Sequence, residues 1–436
     1  MKYDLAIIGG GPAGYSAALE AIQYGLQVIV FECDQLGGTC LNRGCVPTKY
    51  LEHTGSLYQQ MVHGMERGIM VDGSSLDYGQ TLTGMNQRVR ELRDGLRDLF
   101  ERSGIRYVDQ LAEVRMNEPG ESFTIICKGE EYEADHVLIA AGSVPKESPV
   151  AGVPDIGCLL SMNELPHKVK IIGGGVTAVE FANILRMLGT EVTMCLRSGR
   201  ILKKWDRELA VSVEQLLKKR GICIRTDCTP EDLASKEEDT LILSAVGRKA
   251  NRMGTTELDL DEDEQGAILT DPDGCTNIPN IYAAGDVVSG SPMLAHTAME
   301  QGKRIARKIA GRDPGNVSAA AKCIYLDPDI VSVGLTEAEA KSQGYEVVTG
   351  KQNMRSNAAA IILTDDRCFI KLTADRKERR LLGVQMMCMH AVELAGEFVL
   401  AINQKIDIED LAGILHPHPS CSEAVTDAVD ALIKKL

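Results

Sequence analysis

Apolar and amphipathic segments alternate along the first half of the chain. An apolar run at residues 4–8 is followed by helical spacing at 12–24 and by a second apolar run at 26–31. Short apolar runs beside glycine are typical of buried strands, and the longer periodic segment is typical of a helix. The order of strand, glycine loop, helix and strand returns at 169–196. The chain therefore contains an internal repeat of a βαβ unit.

A long charged segment at residues 86–103 predicts an amphipathic helix. Its apolar residues fall at helical spacing on one face. We expect this helix to be exposed except for one packed stripe, which consists of Val89, Leu92, Leu96 and Leu99.

Two later apolar runs, at residues 136–142 and 281–287, predict buried strands that end in turns. The second is followed by a helix, for which we expect Ser291 as the N-cap and Pro292 in the first position. Residues 312–321 are polar and rich in small residues, which indicates a linker.

These elements predict an α/β protein with two Rossmann-like dinucleotide-binding domains and an α+β domain at the C-terminus. We expect the first dinucleotide-binding domain at residues 1–145 and 280–318, because the strand at 281–287 continues its pattern. The second is expected at 146–279. Residues 319–436 mix alternating strands with helices and form the third domain.

Composition narrows the class of protein. The net charge of −15 over 436 residues argues against nucleic-acid binding, which requires a basic surface. Asp4 and the glycines after it break a resemblance to a signal peptide, and no apolar run reaches the length of about 18 residues that indicates a membrane span. Most of the thirteen cysteines, such as Cys127, Cys195 and Cys388, stand singly in apolar segments. This is not a secreted disulfide framework, so we expect a cytoplasmic protein, and we predict no metal site.

The first glycine loop has the spacing of a dinucleotide fingerprint. Gly9, Gly11 and Gly14 follow a strand and open a helix, and Glu32 ends the next strand. Glycines here permit a tight turn and close approach of a pyrophosphate to the helix N-terminus, while the carboxylate binds ribose hydroxyls. The alternative is a glycine-rich turn that binds no ligand, which would explain the glycines but not the elements around them. Since strand, helix and acidic residue are all in place, we predict a dinucleotide site.

The second glycine loop has the same spacing, with Gly173, Gly175 and Ala178. The position that holds the acidic residue in the first site is occupied here by Leu196, and Arg197 follows it. No carboxylate is present to bind a free 2′-hydroxyl, and a guanidinium group suits a 2′-phosphate. We therefore predict NADPH rather than NADH. The alternative is that the basic residues are surface charges beside a solvated loop.

Cys40 and Cys45 lie five residues apart in the segment GGTCLNRGCVPTK. On a straight helix their Cα atoms would be about 8.7 Å apart, whereas a disulfide requires about 4.4–6.8 Å. A bridge therefore needs a distorted backbone, which Gly44 permits and Pro47 favours. Such a bridge would be strained and reducible. The alternative is two unpaired buried cysteines.

Taken jointly, the motifs resemble those of the flavoprotein pyridine nucleotide–disulfide oxidoreductases, most closely the dihydrolipoamide dehydrogenase group. The resemblance covers nearly the whole chain. Besides the glycine loops and the cysteine segment, its markers are IAAGSVP at 139–145, GGGVTAVEF at 173–181, IYAAGD at 281–286, MLAHTAMEQG at 293–302 and HPHPSCSE at 416–423.

The resemblance implies FAD in the first site, NADPH or NADH in the second, and a homodimer formed through the C-terminal domain. The residues expected at FAD are Gly9, Gly11, Pro12, Ala13, Gly14, Glu32, Gly38, Thr39, Lys49, Ala141, Gly142, Gly285, Asp286, Met293, Leu294, Ala295 and His296. Those expected at the nicotinamide coenzyme are Gly173, Gly175, Ala178, Arg197 and Gly247.

Catalytic roles are also implied by the resemblance. Cys40 would exchange with the disulfide substrate, and Cys45 would stack on the flavin. Lys49 and Glu180 would form an ion pair beside the reactive flavin nitrogen; as residues alone they also fit two unrelated surface charges.

The histidine loop supplies the remaining implied roles. His418 would be the acid–base, contributed by the other subunit, with Glu423 orienting it; a solvated or capping histidine is the alternative. Asp286 would bind the ribityl chain of FAD. We expect Cys421, inside the same loop, to be a packing residue rather than a third redox thiol.

The implied activity is electron transfer between a dihydrolipoamide-type dithiol and NAD(P) through a redox-active Cys40–Cys45 disulfide. The partner would be a small dithiol or disulfide, or a lipoyl-carrying protein, with no nucleic acid and no membrane. An NADPH-dependent reductase of another small disulfide, similar to glutathione reductase, is the alternative that Arg197 favours. A non-enzymatic flavoprotein is a third hypothesis, against which the cysteine pair and His418 argue.

Overall fold

The computed structural model describes residues 2–71, 73–117, 122–235, 238–316, 319–364 and 366–436. The first elements are β1 (Lys2–Ile8), α1 (Pro12–Ala21), β2 (Val28–Phe31), α2 (Gly38–Arg43), α3 (Cys45–Val62), α4 (Tyr78–Arg102), β3 (Arg106–Val108), β4 (Glu113–Met116), β5 (Phe123–Cys127), β6 (Glu130–Ile139) and β7 (Ser143–Pro145). The middle of the chain forms β8 (Lys168–Ile172), α5 (Val176–Met187), β9 (Glu191–Cys195), α6 (Arg207–Lys219), β10 (Cys223–Arg225), α7 (Pro230–Ala234), β11 (Thr240–Ser244), β12 (Arg248–Ala250), β13 (Ile281–Ala283) and α8 (Ala295–Ile309). The last part forms β14 (Ala321–Ile324), β15 (Asp329–Gly334), α9 (Glu337–Ser342), β16 (Val347–Asn353), α10 (Ala358–Leu363), β17 (Phe369–Asp375), β18 (Arg380–Cys388), α11 (Ala391–Asn403), α12 (Ile408–Ala412) and α13 (Glu423–Ile433).

The first sheet is centred on β1 and β6. Its strands follow the order β3-β2-β1-β6-β5-β4, and β13 pairs in parallel with the C-terminal end of β6. All residues of β2 are buried, as expected in a parallel sheet covered on both faces. Helices α1 and α8 pack together. A Cβ atom on Gly302 would lie 2.2 Å from the carbonyl oxygen of Ala13, so glycine at that position permits the close approach.

The second sheet repeats this design. Its strands run in parallel in the order β10-β9-β8-β11, and α5 connects β8 to β9 as α1 connects β1 to β2. Apolar residues of α5 and α6 fill the core beside the sheet. The predicted internal repeat of the βαβ unit is therefore confirmed.

The third sheet is antiparallel throughout, in the order β14-β15-β18-β17-β16. Helices α11 and α13 pack with it in one apolar core. Other residues from its strands, such as Ile330, Phe369 and Met387, join the core of the second sheet. The sheet is therefore buried on both faces, and this packing brings the connection between β14 and β15 towards α3 and α5.

The predicted fold class, two Rossmann-like units followed by an α+β unit, is confirmed by this architecture. The domain boundaries at 145, 279 and 318 remain predictions. Residues 317–318, within the linker predicted at 312–321, lie outside the described residues. Among the helices described, none combines the length and the apolar character needed to cross a membrane.

The charged helix was predicted too short, and its buried stripe was predicted only in part. It begins at Tyr78, because the Asp77 side chain accepts a hydrogen bond from the Gln80 N–H and caps the first turn. The buried positions are Tyr78, Leu82, Met85, Val89 and Phe100, whereas Leu92 and Leu99 are exposed. Val89 is buried as expected and Leu96 packs partly buried against the core beside the first sheet. Leu92 and Leu99 continue the same helical spacing but lie at its exposed edge.

The start of α8 was also predicted wrongly. The helix begins at Ala295 with Leu294 as its N-cap, not at Ser291 and Pro292. Met293 has a φ of +54°, a left-handed conformation that an α-helix excludes. The Ser291 hydroxyl instead accepts a hydrogen bond from the Met293 N–H, within the loop.

Candidate active site

The first glycine loop connects β1 to α1 in a conformation that requires glycine. Gly9 has a φ of +109°, and a Cβ atom there would lie 2.3 Å from the carbonyl oxygen of Ala140. A Cβ atom on Gly14 would lie 1.9 Å from the carbonyl oxygen of Gly9. A Cβ atom on Gly38 would similarly meet the Cα atom of Gly11. The loop is therefore a tight turn against the neighbouring strand and the start of α2.

This loop suits a dinucleotide. No side chain caps the N-terminus of α1, so N–H groups of its first turn are available to an anion. Glu32 accepts hydrogen bonds from the N–H groups of Gly10 and Asp34, each at 2.9 Å. Burial raises the pKa of Glu32, and the two N–H groups oppose the rise. The residues thus form a glycine cradle with a carboxylate at the ribose position, which fits the FAD that the resemblance implies.

The second glycine loop reproduces the first in detail. Gly173 has a φ of +135°, and a Cβ atom there would lie 2.3 Å from the carbonyl oxygen of Ala245. The Gly174 carbonyl accepts a hydrogen bond from the Leu202 N–H at 2.7 Å, as the Gly10 carbonyl does from Gly37 at 2.9 Å. Ala178 is fully buried in α5, which allows the close helix–strand packing expected of the fingerprint.

The two loops differ at the ribose position. The Leu196 side chain is buried, and a Cβ atom on Gly174 would lie 2.2 Å from its Cδ2 atom. Leu196 therefore occupies the place that Glu32 takes against Gly10. Arg197, the next residue, is exposed, and Gly247 lies in the turn after β11 with a φ of +102°.

The two site cysteines lie on either side of a break between helices. Helix α2 ends at Arg43, Gly44 has φ −121° and ψ −110°, and α3 begins at Cys45. Pro47 is in the first turn of α3, where its missing N–H is tolerated. The expected backbone distortion is confirmed, and Gly44 provides it. Both cysteines are free thiols.

Electrostatics distinguish the two thiols. The Cys40 thiol donates a hydrogen bond to Cys45, and this bond, together with the nearby Lys49 ammonium, lowers the pKa of Cys45 to about 7 against the opposing effect of burial. The same hydrogen bond and then burial raise the pKa of Cys40. Since the thiolate is the reactive form of a thiol, Cys45 carries the charge of the reduced pair.

Lys49 and Glu180 meet beside the cysteines. The Lys49 Nζ atom lies 2.7 Å from Glu180 Oε1, and both side chains are largely buried. The same Glu180 oxygen accepts a hydrogen bond from the Tyr325 N–H at 2.9 Å. The Lys49 Nζ atom also lies 3.7 Å from the centre of the Tyr325 ring, a cation–π contact. The ion pair therefore joins α3, α5 and the connection between β14 and β15, and Tyr325 is a site residue that the sequence analysis missed.

Asp286 lies in a second polar cluster. The Ser143 hydroxyl donates a hydrogen bond of 2.6 Å to Asp286 Oδ2. Arg248 donates to the Ser143 hydroxyl at 2.7 Å and to its carbonyl at 2.6 Å, and burial lowers the pKa of Arg248. Ser143 falls within the marker IAAGSVP, which is the signal that could have identified it. These contacts orient the carboxylate expected at the ribityl chain.

The remaining residues expected at FAD lie around the same cradle. A Cβ atom on Gly285 would lie 3.5 Å from the Cβ atom of Ala13, and the Gly285 N–H donates to Gln301 of α8 at 2.8 Å. Gly142 follows β6 with a φ of +71°. The other members are placed at the starts of three helices or beside Gly142: Pro12 opens α1, Gly38 and Thr39 open α2, Met293, Leu294, Ala295 and His296 lie at the start of α8, and Ala141 precedes Gly142.

The histidine loop precedes α13. His418 Nδ1 lies 2.8 Å from Glu423 Oε1, and the imidazole is 76% exposed. The Ser420 N–H donates to the other Glu423 oxygen at 2.9 Å. This N–H and then His418 lower the pKa of Glu423. The structure thus unites His418 with Glu423 and leaves the ring open to solvent. Cys421 is buried in the core of the third unit.

Two family models match nearly the whole chain. Residues 3–302 match the model described as pyridine nucleotide-disulphide oxidoreductase, and residues 320–429 match its dimerisation domain. The chain therefore belongs to the pyridine nucleotide–disulphide oxidoreductase family, whose members depend on FAD and use NAD or NADP. The resemblance stated from the motifs, and the expected class of enzyme, are confirmed.

Curated relatives of similar length share this organisation. Dihydrolipoyl dehydrogenase of Pseudomonas aeruginosa is 33% identical, over 98% of this chain and 97% of its own. The enzymes of the same name from Rhizobium etli and Bacillus subtilis are each 32% identical, with the same coverage. Among solved structures, LpdA of Mycobacterium tuberculosis has a TM-score of 0.90 at 24% identity, covering 98% of this chain and 99% of its own. The HOCl-induced flavoprotein disulfide reductase RclA of Escherichia coli has a TM-score of 0.84 at 24% identity with the same coverage. Both structures support the fold.

Proposed function

We propose that this enzyme transfers electrons between a dihydrolipoamide-type dithiol and a nicotinamide coenzyme, through a disulfide that Cys40 and Cys45 form and open. The observation that carries the proposal is the placement of Cys40 and Cys45 on either side of the helix break at Gly44, with the Lys49–Glu180 pair on the adjoining helices. The names of the curated relatives support the dithiol substrate.

The thiol chemistry follows from the electrostatics of the pair. A thiolate of the substrate attacks Cys40 in the oxidised pair, forms a mixed disulfide and displaces Cys45 as a thiolate. The lowered pKa of Cys45 makes it the better leaving group. The second substrate thiol then attacks the mixed disulfide, closes the substrate ring and releases Cys40. Two electrons have then passed from the substrate to the enzyme, and the bond between two sulfurs has passed from the enzyme to the substrate.

The first cradle would hold FAD through its glycines, Glu32 and Asp286. When bound, FAD supplies a two-electron carrier between the Cys45 thiolate and the nicotinamide. Lys49 keeps a positive charge near this thiolate, and Glu180 fixes the position of that charge. The second cradle, with Gly173 and Gly175, would hold the nicotinamide coenzyme.

His418 is proposed as the acid–base that accepts the proton of the incoming thiol. A histidine titrates in the range that this task requires, and Glu423 fixes its orientation and tautomer through the bond to Nδ1. The exposed imidazole suits a ring that acts on the cysteines of a partner subunit. The match to the dimerisation domain supports a homodimer.

For the coenzyme we propose NADPH over NADH. Leu196 leaves no carboxylate at the ribose position, so a free 2′-hydroxyl would lack its usual acceptor. The exposed Arg197 beside it can pair with a 2′-phosphate. The same observation favours a second candidate function, the NADPH-dependent reduction of another small disulfide, for which the thiol steps run in reverse.

Steady-state kinetics separate the two functions. The rates are measured with lipoamide and with glutathione disulfide, each with both coenzymes, in both directions for the lipoamide pair. We expect lipoamide turnover with a preference for NADP(H). No lipoamide turnover combined with glutathione disulfide reduction would select the second candidate. The thirteen cysteines, which lack a secreted pattern, support a cytoplasmic location, and a lipoyl-carrying protein is the proposed physiological partner.

A further inference from the structure

A second pair of cysteines lies in the second Rossmann-like unit, apart from Cys40 and Cys45. Cys195, which the sequence analysis placed singly in an apolar segment, ends β9 and is buried. Cys228 follows β10 and is only partly buried. Both thiols pack into one small apolar cluster with Ile172 and Leu233. Cys195 is a free, buried cysteine in apolar surroundings, as expected, and the fold places Cys228 beside its cluster.

Backbone geometry brings the two residues together. Strand β10 lies in parallel beside β9, with Arg225 opposite Cys195. The Cys228 N–H donates a 2.8 Å hydrogen bond to the Leu196 carbonyl, and the Cys228 thiol, which donates to the Arg225 carbonyl at 3.4 Å, packs against the apolar cluster that contains Cys195. Because the Cys228 N–H bonds the carbonyl of the residue that follows Cys195, a shift of the short turn after β10 is enough to bring the pair within the span of a disulfide, and neither strand has to unfold.

We propose that Cys195 and Cys228 form a second dithiol site, which soluble disulfides oxidise to an intramolecular disulfide and which thereby controls coenzyme binding at the loop after β9. The proposal requires a nicotinamide coenzyme at the second glycine loop, as family membership implies. It requires no particular dithiol substrate.

The soluble disulfide accepts the electrons that the two cysteines lose. The accessible Cys228 thiolate attacks the disulfide, forms a mixed disulfide and releases one thiol. Cys195 then attacks the Cys228 sulfur, and the second thiol leaves. The two cysteines lose two protons and two electrons, and the soluble disulfide gains both as two thiols. Burial and then the neighbouring Cys228 raise the pKa of Cys195 to about 11, and the buried Lys170 ammonium opposes the rise. Cys195 therefore reacts second, and its proton leaves as it attacks the mixed disulfide. Lys170 is held by the carbonyls of Asp232 and Ser235.

The turn that carries Cys228 supports the coenzyme loop directly. Besides the bond from Cys228 to Leu196, the Asp227 N–H reaches the Ser198 carbonyl at 3.5 Å. A disulfide fixes its sulfurs about 2.05 Å apart, closer than two thiols in contact. Bridging therefore pulls the turn towards β9 and moves the segment that carries Leu196 and Arg197. A misplacement of about 1 Å in a positioning group can lower an enzyme's rate by up to about a hundredfold.

The test uses the full-length, FAD-loaded enzyme and glutathione disulfide as the oxidant. Trypsin separates the relevant cysteines, because Cys195 falls in peptide 187–197, Cys228 in 226–236 and the neighbouring exposed Cys223 in 221–225. Mass spectrometry of the oxidised enzyme should show peptides 187–197 and 226–236 joined. The matched control is Cys223→Ser, which should leave this product unchanged. In Cys195→Ser the product should be replaced by a lasting glutathione adduct on Cys228.

Coenzyme binding provides the functional measurement. The single tryptophan, Trp205, lies just after the loop that follows β9, and its backbone N–H donates to the Leu202 carbonyl at 2.9 Å. Its fluorescence therefore reports coenzyme titrations. We expect oxidation to raise the dissociation constant roughly tenfold, reversibly with dithiothreitol, in the wild type but not in Cys228→Ser. The reduced variant should keep wild-type turnover. Absence of the joined peptides, or joined peptides with unchanged coenzyme affinity, would overturn the proposal.

Discussion

Replacing Lys49 by methionine tests how the site activates Cys45. The substitution removes the ammonium that lowers the pKa of this thiol and leaves Glu180 charged beside it. An opposite charge within about 4–6 Å shifts a pKa by about 1–3 units. From the present value of about 7, we expect the pKa of Cys45 to rise to about 8–10. At pH 7.5 the thiolate fraction would fall from about three-quarters to about one-quarter or less.

The pH profile of alkylation measures this fraction. Reduced holoenzyme is treated with iodoacetamide over a pH series, and Cys45 is followed in tryptic peptide 44–49, or 44–67 in the variant that lacks the cleavage site. Lys168→Met is the matched control, because it removes an exposed lysine paired with Glu191 in the second sheet. An unchanged midpoint in Lys49→Met would show that the hydrogen bond from Cys40 alone sets the pKa, and the role given to the ion pair would be wrong.

Four further tests by substitution probe Cys45 itself and other parts of the site. Cys45→Ser should retain FAD, measured by its absorbance, and lose all lipoamide turnover; retained turnover would remove this thiol from the mechanism. Leu196→Glu with Arg197→Ala should shift the kcat/KM ratio towards NADH, and an unchanged ratio would contradict the coenzyme proposal. Tyr325→Leu should lower kcat more than Tyr325→Phe, because the face of the ring rather than its hydroxyl contacts the lysine ammonium; equal effects in kinetics and thermal melting would contradict this. Burial raises the pKa of Asp329 to about 7 from 3.8. A raised carboxyl pKa makes the folded state lose stability as pH rises from about 4 to about 7, so Asp329→Asn should stabilise the protein by up to about 4 kcal/mol at pH 8 and by little at pH 4. Urea unfolding at both pH values checks the sign.

The parts of the molecule that were predicted correctly depend on local sequence. The glycine loops can be recognised from local spacing, since Gly9 and Gly173 adopt positive φ that favours glycine, although the carbonyl oxygens that crowd them belong to the distant Ala140 and Ala245. The helix break at Gly44 lies within one short segment. These features therefore appear in the sequence as short motifs with fixed spacing.

The errors arose where distant contacts decide the structure. Local propensity permits a helix from Ser291, yet Met293 adopts a left-handed conformation and delays the helix to Ala295. The stripe of α4 was only partly right, because Leu92 and Leu99 share its helical spacing yet are exposed, and the packing of neighbouring elements decides which positions along the stripe are buried.

Distant contacts that the sequence does not indicate are clearest at the reactive centre. One oxygen of Glu180 accepts hydrogen bonds from Lys49, 131 residues earlier, and from Tyr325, 145 residues later. Lys49 and Glu180 were expected from motifs, but nothing in the sequence near Tyr325 indicates that its backbone and its ring complete the pair. Because this contact joins helices from both Rossmann-like units to the antiparallel sheet, a movement of any one of them changes the position of the ammonium beside Cys45. Thiol reactivity is thereby linked to the relative placement of all three units, which a motif confined to one segment does not encode.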